Sequence, residues 1–218
     1  MKKILLIICL AAVSAGVSAQ SVSFGVKAGM NLSTLRVSPS DPSYTTSDKT
    51  GYHFGVVADV GFQEFSLQPG LFYITKGQKF TGQYISFYLE NQQSILEKGT
   101  VRLDYIELPL NLLYNLKVTP DVKLYFGAGG YLGYGLSGKA RGTISGDISG
   151  TFEKNISFNG NQNDYKNPDY GLNFIVGERL KHFSIDVNYS LGLANITPNQ
   201  GANVKNSAAG ISIGYWFK

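Results

Sequence analysis

After its first twenty residues, the chain repeatedly alternates apolar side chains with polar or very small ones at a period of two. From Val22 to Leu32, for example, every even-numbered residue is apolar and every odd-numbered residue is Ser, Gly, Lys or Asn. A period of two puts successive side chains on opposite faces of a β-strand, whereas a helix would need a period of 3.6. The pattern therefore predicts an all-β protein whose strands each have one apolar and one polar face.

Eight segments carry this alternation. They cover residues 22–32, 52–62, 65–76, 103–116, 124–137, 169–178, 183–193 and 210–217. Most have the roughly ten residues that a tilted strand needs to cross a membrane, and no later stretch reaches the roughly 18 apolar residues of a membrane helix. An even count of eight is typical of bacterial single-chain barrels. A count of ten stays open, because residues 139–168 could contain a further hairpin.

Three segments, the third, fourth and sixth, are less regular than the others. The alternation of the third segment breaks at Phe72 and Ile74, which are apolar where polar residues are expected. The fourth segment contains Pro109, which has no amide hydrogen to donate to a neighbouring strand, so we expect a local irregularity there.

Long and short connections alternate between the predicted strands. Residues 63–64, 117–122 and 180–182 form short links, and residues 36–50, 77–100, 138–168 and 195–205 form longer ones. Outer-membrane barrels have short periplasmic turns and longer extracellular loops. The order of the links then predicts that both termini are periplasmic.

The composition of the two faces separates a membrane barrel from a soluble one. Only 16% of the residues are charged, against about 25% in soluble domains. The polar face is dominated by Gly, Ser and Asn, which suit a crowded lumen better than a solvated exterior. The apolar face ends in aromatic residues, as in the interfacial girdles of membrane barrels. These are Phe62, Phe65, Tyr114, Phe126, Phe183, Tyr215 and Phe217 at the turn end, and Tyr52, Tyr73, Tyr134 and Tyr170 at the loop end.

These features predict a closed antiparallel transmembrane β-barrel with an up-and-down meander, occupying residues 20–218. A soluble lipocalin-like barrel would carry its apolar face inside, and an exported β-sandwich is a weaker alternative.

Residues 1–19 have the pattern of a secretory signal peptide. Lys2 and Lys3 precede an apolar core, and Val17-Ser18-Ala19 forms a small-residue cleavage site. Cleavage after Ala19 would remove Cys9, the only cysteine, so the mature chain would have no disulfide or thiolate metal site. It would keep 17 basic and 15 acidic residues, scattered rather than clustered, which does not indicate a nucleic-acid partner.

Several motifs resemble those of the PorT-like, porin-family outer-membrane β-barrel domain. They are Ser66–Tyr73 (SLQPGLFY), Leu103–Leu110 (LDYIELPL), Gly127–Gly133 (GAGGYLG) and Tyr189–Leu193 (YSLGL). The resemblance implies a location in the outer membrane of a Gram-negative bacterium, contact with its lipid, and insertion by the barrel assembly machinery. Some members of that family serve secretion systems. No catalytic residue is implied.

Charged residues at inward positions are the first candidate functional set. They are Lys27, Asp59, Lys76, Glu107 and Asp186, with Arg102 as a further candidate. They could line a pore, or they could pair and plug the lumen. Because the interior of eight strands is only wide enough for side chains, the plug is favoured. The alternative function is a narrow porin-like channel for small solutes.

Aromatic residues of the long loops are the second candidate set. They are Phe80, Tyr84, Phe87, Tyr88, Phe152, Phe158 and Tyr165. Aromatic side chains on scaffold-held loops are typical anchors for a protein or ligand partner. Equally, they could extend the strands beyond the membrane or fold back to cap the lumen.

Signs of catalysis are weak. His53 with Asp104 and a serine could form a rim site, but no spacing requires it, and an outer-membrane enzyme is only the third hypothesis. The glycines at 127–133 lack the strand–turn–helix context of a phosphate loop. We therefore expect a non-enzymatic barrel, without metal or cofactor, whose extracellular loops are the interaction surface.

Overall fold

The computed structural model describes residues 21–38, 44–82, 87–89, 92–146, 149–158, 164–199 and 201–217. They form strands β1 (Ser21–Ser38), β2 (Tyr44–Phe62), β3 (Phe65–Gly82), β4 (Phe87–Leu89), β5 (Gln92–Lys117), β6 (Val122–Gly146), β7 (Gly150–Ile156), β8 (Asp169–Leu180), β9 (Phe183–Gly192) and β10 (Asn203–Trp216). Within these ranges, no helix is long and apolar enough to span a bilayer.

Eight of the strands form a closed antiparallel ring. The order is β1–β2–β3–β5–β6–β8–β9–β10, and β10 pairs back with β1 from Gly25↔Trp216 to Ser38↔Asn203. Each ring strand therefore has a hydrogen-bonded neighbour on both sides, as backbone groups in a bilayer require. The predicted fold class, an up-and-down antiparallel barrel, is confirmed.

Strands β4 and β7 lie outside this ring. The hairpin that was left open within residues 139–168 does form, because β7 pairs with Gly138–Ile144 at the outer end of β6. The ring still has eight strands, since β8 takes over the same edge of β6 nearer the turns, from Val122 to Gly133. The short β4 pairs only with Gln92–Ser94 of β5.

The strands run much further towards the loops than the alternation predicts. Residues assigned to loops at 36–50, 77–100 and 138–168 largely belong to β1, β2, β3, β5, β6 and β7, so those loop assignments were wrong. Beyond the barrel, five of these strands form a sheet on one side only. We call this sheet the wall: residues 44–48, 77–82, 98–102, 138–144 and 150–156, in register across Ser47, Lys79, Thr100, Arg141 and Glu153.

The outward apolar face forms a band with an aromatic contact chain at the turn end. Phe62, Phe65, Tyr114 and Phe126 follow one another around the barrel at centroid distances of 6.3, 5.3 and 5.4 Å. At the loop end, the rings of Tyr52 and Tyr73 lie 6.1 Å apart. The ten steps from Tyr52 to Phe62 along β2 span about 25 Å of height at ordinary rise and tilt, which matches the hydrocarbon band of such barrels.

The irregular segments have simple explanations. Phe72 and Ile74 follow the alternation after all: both point inward, where Ile74 is buried and Phe72 lines the lumen. Near Pro109, the β3–β5 register is interrupted between the pairs Pro69↔Leu110 and Phe72↔Glu107. The apolar inward residues belong to a lumen that is filled with side chains.

Candidate functional site

The lumen is filled in layers, and the layer nearest the turns surrounds Asp59. This carboxylate accepts from Lys123 Nζ at 3.1 Å and lies 3.5 Å from Arg179 Nη1. The Arg179 guanidinium stacks over the Trp216 ring at 4.3 Å. Trp216, which is 1% exposed, donates its indole N–H to Ser184 Oγ at 3.0 Å. This layer closes the turn end of the barrel.

A buried ion pair forms the next layer. Lys27 Nζ lies 2.7 Å from Asp186 Oδ2, and both side chains are almost completely buried. The Tyr125 hydroxyl donates to the same carboxylate oxygen at 2.8 Å, and Gln68 accepts from Lys27 at 3.4 Å. Such a pair needs these additional hydrogen bonds, because desolvation of two charges is costly.

Neutral polar groups occupy the middle of the lumen. His53 Nε2 and Ser212 Oγ lie 2.8 Å apart, and an amide chain runs from Ser190 through Asn173 to Asn111 at 3.0 and 3.1 Å. His53, Ser212, Asn173 and Asn111 border a lumen cavity of about 50 Å³. A polar cavity of this size has room for only one or two water molecules.

A second ion-pair layer lies above the cavity and is centred on Lys76. Its ammonium group is 2.5 Å from Glu107 and 3.2 Å from Asp169, and it lies 4.3 Å from the centre of the Tyr131 ring. Asp169 also accepts from Asn206 at 2.9 Å and from the Tyr131 hydroxyl. Lys76 and Asp169 are both fully buried.

An apolar cap closes the loop end of the lumen. We use this name for the buried cluster of Leu35, Ile74, Leu103, Tyr105, Ile156, Phe158, Ala194, Ile196 and Val204. The segments after β7 and β9 fold inward to supply its upper side: Phe158 packs edge-on against Tyr105 at 5.4 Å, and Ile196 bonds through its backbone to Val204. The polar layers are thereby separated from the loop-end opening of the barrel.

All five predicted inward charges lie in the lumen. Lys27, Asp59, Lys76, Glu107 and Asp186 are buried, and each belongs to an ion pair. Arg102 is a correction, because it lies on the outward surface, where it bonds Asp104 at 2.7 Å and the hydroxyls of Tyr52 and Tyr73. Its parity on β5 is that of Leu108 and Leu110, which also point outward, so the regular alternation of this strand places it on the outward face.

The sequence reasoning missed three members of the lumen network: Asp169, Lys123 and Arg179. Asp169 is the first residue of the predicted segment 169–178 and shares its parity with Asn173, which also points inward, so the alternation of β8 alone would have found it. Lys123 and Arg179 lie opposite each other on β6 and β8 at the strand ends, where alternation alone does not separate lumen from solvent.

The aromatic residues predicted to lie in the long loops differ in their location and burial. Phe158 is 3% exposed within the apolar cap, and Tyr165 packs against it half-buried, so neither offers a free surface anchor. Phe80 and Phe152 are half-buried on the wall. Phe87 and Tyr88 lie on β4, where only the backbone is described, and Tyr84 lies outside the described residues.

The histidine site considered from the sequence does not assemble. His53 is buried deep in the lumen beside Ser212, whereas Asp104 lies on the outward surface with Arg102. His182 stacks on Tyr215 at the turn end and bonds the backbone carbonyl of Trp216. The two residues of the imagined rim site therefore face opposite sides of the β-sheet.

The comparison with protein families decides the identity of this barrel. A model described as the outer membrane protein beta-barrel domain matches residues 18–197. The chain belongs to this family. The barrel is therefore an outer-membrane protein, and the girdled apolar band is its lipid-facing surface. No curated protein matches the chain in sequence.

Three solved bacterial structures are similar to this family member. The attachment invasion locus protein Ail of Yersinia pestis is 13% identical, with 89% of this chain and 98% of that chain covered and a TM-score of 0.43. Neisserial surface protein A is 12% identical, with the same coverage and a TM-score of 0.42. The β-barrel domain of Pseudomonas aeruginosa OprF is 10% identical, with 88% and 97% covered and a TM-score of 0.31.

Proposed function

We propose that this protein is a non-enzymatic outer-membrane barrel with a sealed lumen, whose extracellular end is its interaction surface. The observation that carries the proposal is the continuous filling of the lumen. Three charged layers, a polar middle and an apolar cap succeed one another from the turn end to the loop end. A path for solutes would have to cross all of them.

The energetics of the ion pairs support sealing. Opening a path past Lys76 would separate it from Glu107 and Asp169, and leaving a buried charge without its partner costs several kcal/mol. The cavity of about 50 Å³ lies between two such layers and is too small to be part of a channel. The extracellular end, by contrast, offers the wall and the rim of the cap to the surroundings.

The arrangement of the histidines supports a non-enzymatic role. A general base must reach the proton that it abstracts, and His53 lies in the lumen under the cap. Its partner Ser212 is buried in the same way. Among the described residues, neither histidine stands in an accessible cleft with an acidic partner.

Single-channel recording in a planar bilayer tests the sealed lumen. Heat-modifiable gel mobility first establishes that the purified barrel is folded. We expect a folded barrel without reproducible conductance steps. Stable steps whose size changes in Glu107→Gln or Lys76→Met would refute the plug and support the narrow channel.

We also propose that residues 1–19 are a cleaved signal peptide and that the Gram-negative envelope is the site of action. The basic start, apolar core and small-residue site of this segment support export. N-terminal sequencing of the protein from outer membranes should begin at Gln20, and an N-terminus at Met1 would contradict the cleavage.

The finer placement with PorT-like barrels is likewise a proposal, supported by the motifs at 66–73, 103–110, 127–133 and 189–193. It implies a secretion or envelope accessory role. Purification in a mild detergent should then retain stoichiometric partner proteins, and a clean monomer would count against this role.

A further inference from the structure

The outward face of the wall is strongly basic. Alternation and register place Arg102 beside Lys139 in one row, and Lys79, Thr100 and Arg141 in the next. Lys98, Thr81, Thr143 and Thr151 form the row above. The two upper rows border a surface depression of about 580 Å³. The opposite, inner face is apolar where Val101 and Ala140 pack against the cap.

This basic face is continuous with the lipid-facing surface. Arg102 hydrogen-bonds the hydroxyls of Tyr52 and Tyr73, which belong to the loop-end aromatic girdle, at 3.2 and 3.3 Å. With ordinary strand rise and tilt, Lys139 lies about 10 Å and Lys79 about 15 Å above Tyr73. Phospholipid headgroups occupy only about 5–8 Å on each side of the hydrocarbon. The basic face therefore extends through the height of a larger headgroup.

The positive charge of the outward face of the wall is only partly neutralised by carboxylates. Of the five cations, Arg102 pairs with Asp104, and Lys139 and Arg141 share Glu153 at 2.7 and 2.6 Å. Hydrogen bonds from Lys139 and Arg141 hold the pKa of Glu153 below its ordinary value, so it stays ionised. No described carboxylate pairs with Lys79 or Lys98. At the turn end, the described acidic and basic residues balance: Lys117, Lys123, Arg179 and Lys181 face Asp59, Glu64, Asp121 and Glu178.

We propose that the outward face of the wall binds the phosphorylated sugar headgroup of an outer-leaflet glycolipid. Lysine and arginine recognise phosphate through charge-assisted hydrogen bonds, and the interleaved threonines offer hydroxyl groups for sugars. The acyl chains of the same molecule would lie against the apolar band directly below. The wall would thus hold lipid on one side of the barrel.

Geometry favours a membrane lipid over a soluble polyanion. A soluble ligand needs no apolar surface next to its site, whereas here the cations begin at the girdle and rise from it. The paired rows of cations also lie on the face that looks along the membrane, whereas Val101 and Ala140 of the inner face pack against the cap. This inference rests on the proposed extracellular position of the loop end and is independent of whether the lumen conducts.

Native mass spectrometry of the folded protein in a nonionic detergent tests the proposal, with diphosphoryl lipid A as the titrated probe. The test variant is Lys79→Gln/Lys98→Gln/Arg141→Gln. The matched control, Lys117→Gln/Lys181→Gln/Lys205→Gln, removes the same number of charges elsewhere. Lys79→Arg/Lys98→Arg/Arg141→Lys keeps the charges and shows whether the wall tolerates substitution.

We expect the wild type, the matched control and the charge-keeping variant to bind the lipid alike. Each cation near a membrane surface contributes about a fivefold increase in affinity for an anionic lipid. Because the test variant lacks three cations, its affinity for lipid A should be roughly 100-fold lower than that of the wild type. Equal binding by the test variant and the wild type would overturn the proposal. Displacement of lipid A by dextran sulfate or inorganic phosphate at low concentration would overturn it too, since the site would then serve a soluble anion.

Discussion

Lys76 is a fully buried cation placed between two carboxylates at the height of the loop-end girdle. A single charge in this position would be very unfavourable, so its neighbours Glu107 and Asp169 are part of the same unit. The Tyr131 ring and the Asn206 amide complete the surroundings of this triad. At the residue scale, the lumen therefore depends on matched groups rather than on apolar bulk alone.

Substitution of this cation should be strongly destabilising. Lys76→Met leaves Glu107 and Asp169 facing each other without a counter-charge, and we expect the free energy of unfolding to fall by about 3–5 kcal/mol. Urea titration can follow the fluorescence of Trp216, the only tryptophan of the chain. Lys181→Gln, which removes an exposed ion pair with Asp121, should change little. Equal midpoints for Lys76→Met and wild type would show that the triad adds nothing to stability.

Phe158 tests the apolar cap separately. Phe158→Ala removes a ring that packs against Tyr105, and we expect a loss of about 3 kcal/mol in unfolding free energy. The bilayer recording should nevertheless stay silent, because the charged layers below remain. Phe152→Ala, at a half-exposed position, should be nearly neutral. Conductance in Phe158→Ala alone would show that the cap is the only seal.

At the element scale, the alternation of the membrane-crossing parts was predictable because one face meets lipid and the other meets the lumen. That contrast is strongest in β8 and β9, whose predicted and observed bounds agree within two residues. This contrast between an apolar and a polar face disappears in the wall. There, Lys79, Thr100 and Thr143 face water, and the strands carry turn-forming residues. The extensions of β2, β3, β5 and β6 therefore could not be seen in the sequence.

The ion pairs that form across the lumen could not be predicted from the sequence either. Parity identifies Lys27 and Asp186 as inward, but their contact depends on the register of β1, β10 and β9. Arg102 shows the converse error, because its parity matches that of the outward Leu108 and Leu110, although it was counted among the inward candidates.

The β6–β7 hairpin should be much less protected than the membrane-crossing part of the ring. β7 pairs with β6 alone and is mostly exposed, whereas the ring strands are held on both sides within the membrane. We expect amides of residues 139–144 and 150–156 to exchange hydrogen much faster than those of residues 122–133. Equal protection, measured by hydrogen exchange with mass spectrometry, would mean that the wall is as rigid as the barrel.

At the scale of the whole molecule, orientation can be read with cysteine labels, because the predicted mature chain has no cysteine. Lys79→Cys and Lys154→Cys should react with a membrane-impermeant maleimide on intact cells. Lys117→Cys, at the turn end of β5, should react only after the outer membrane is permeabilised. The reverse result would invert the predicted topology.

The wall also removes the rotational equivalence that a plain cylinder would have in the plane of the membrane. Five strands rise on one side and the ends of β8 and β9 stop short on the other, so the protein has a front and a back. Neighbouring molecules that approach from the two sides meet different surfaces. In a crowded leaflet, such a barrel can take a defined in-plane orientation relative to its neighbours. The eight-stranded ring alone would not define one.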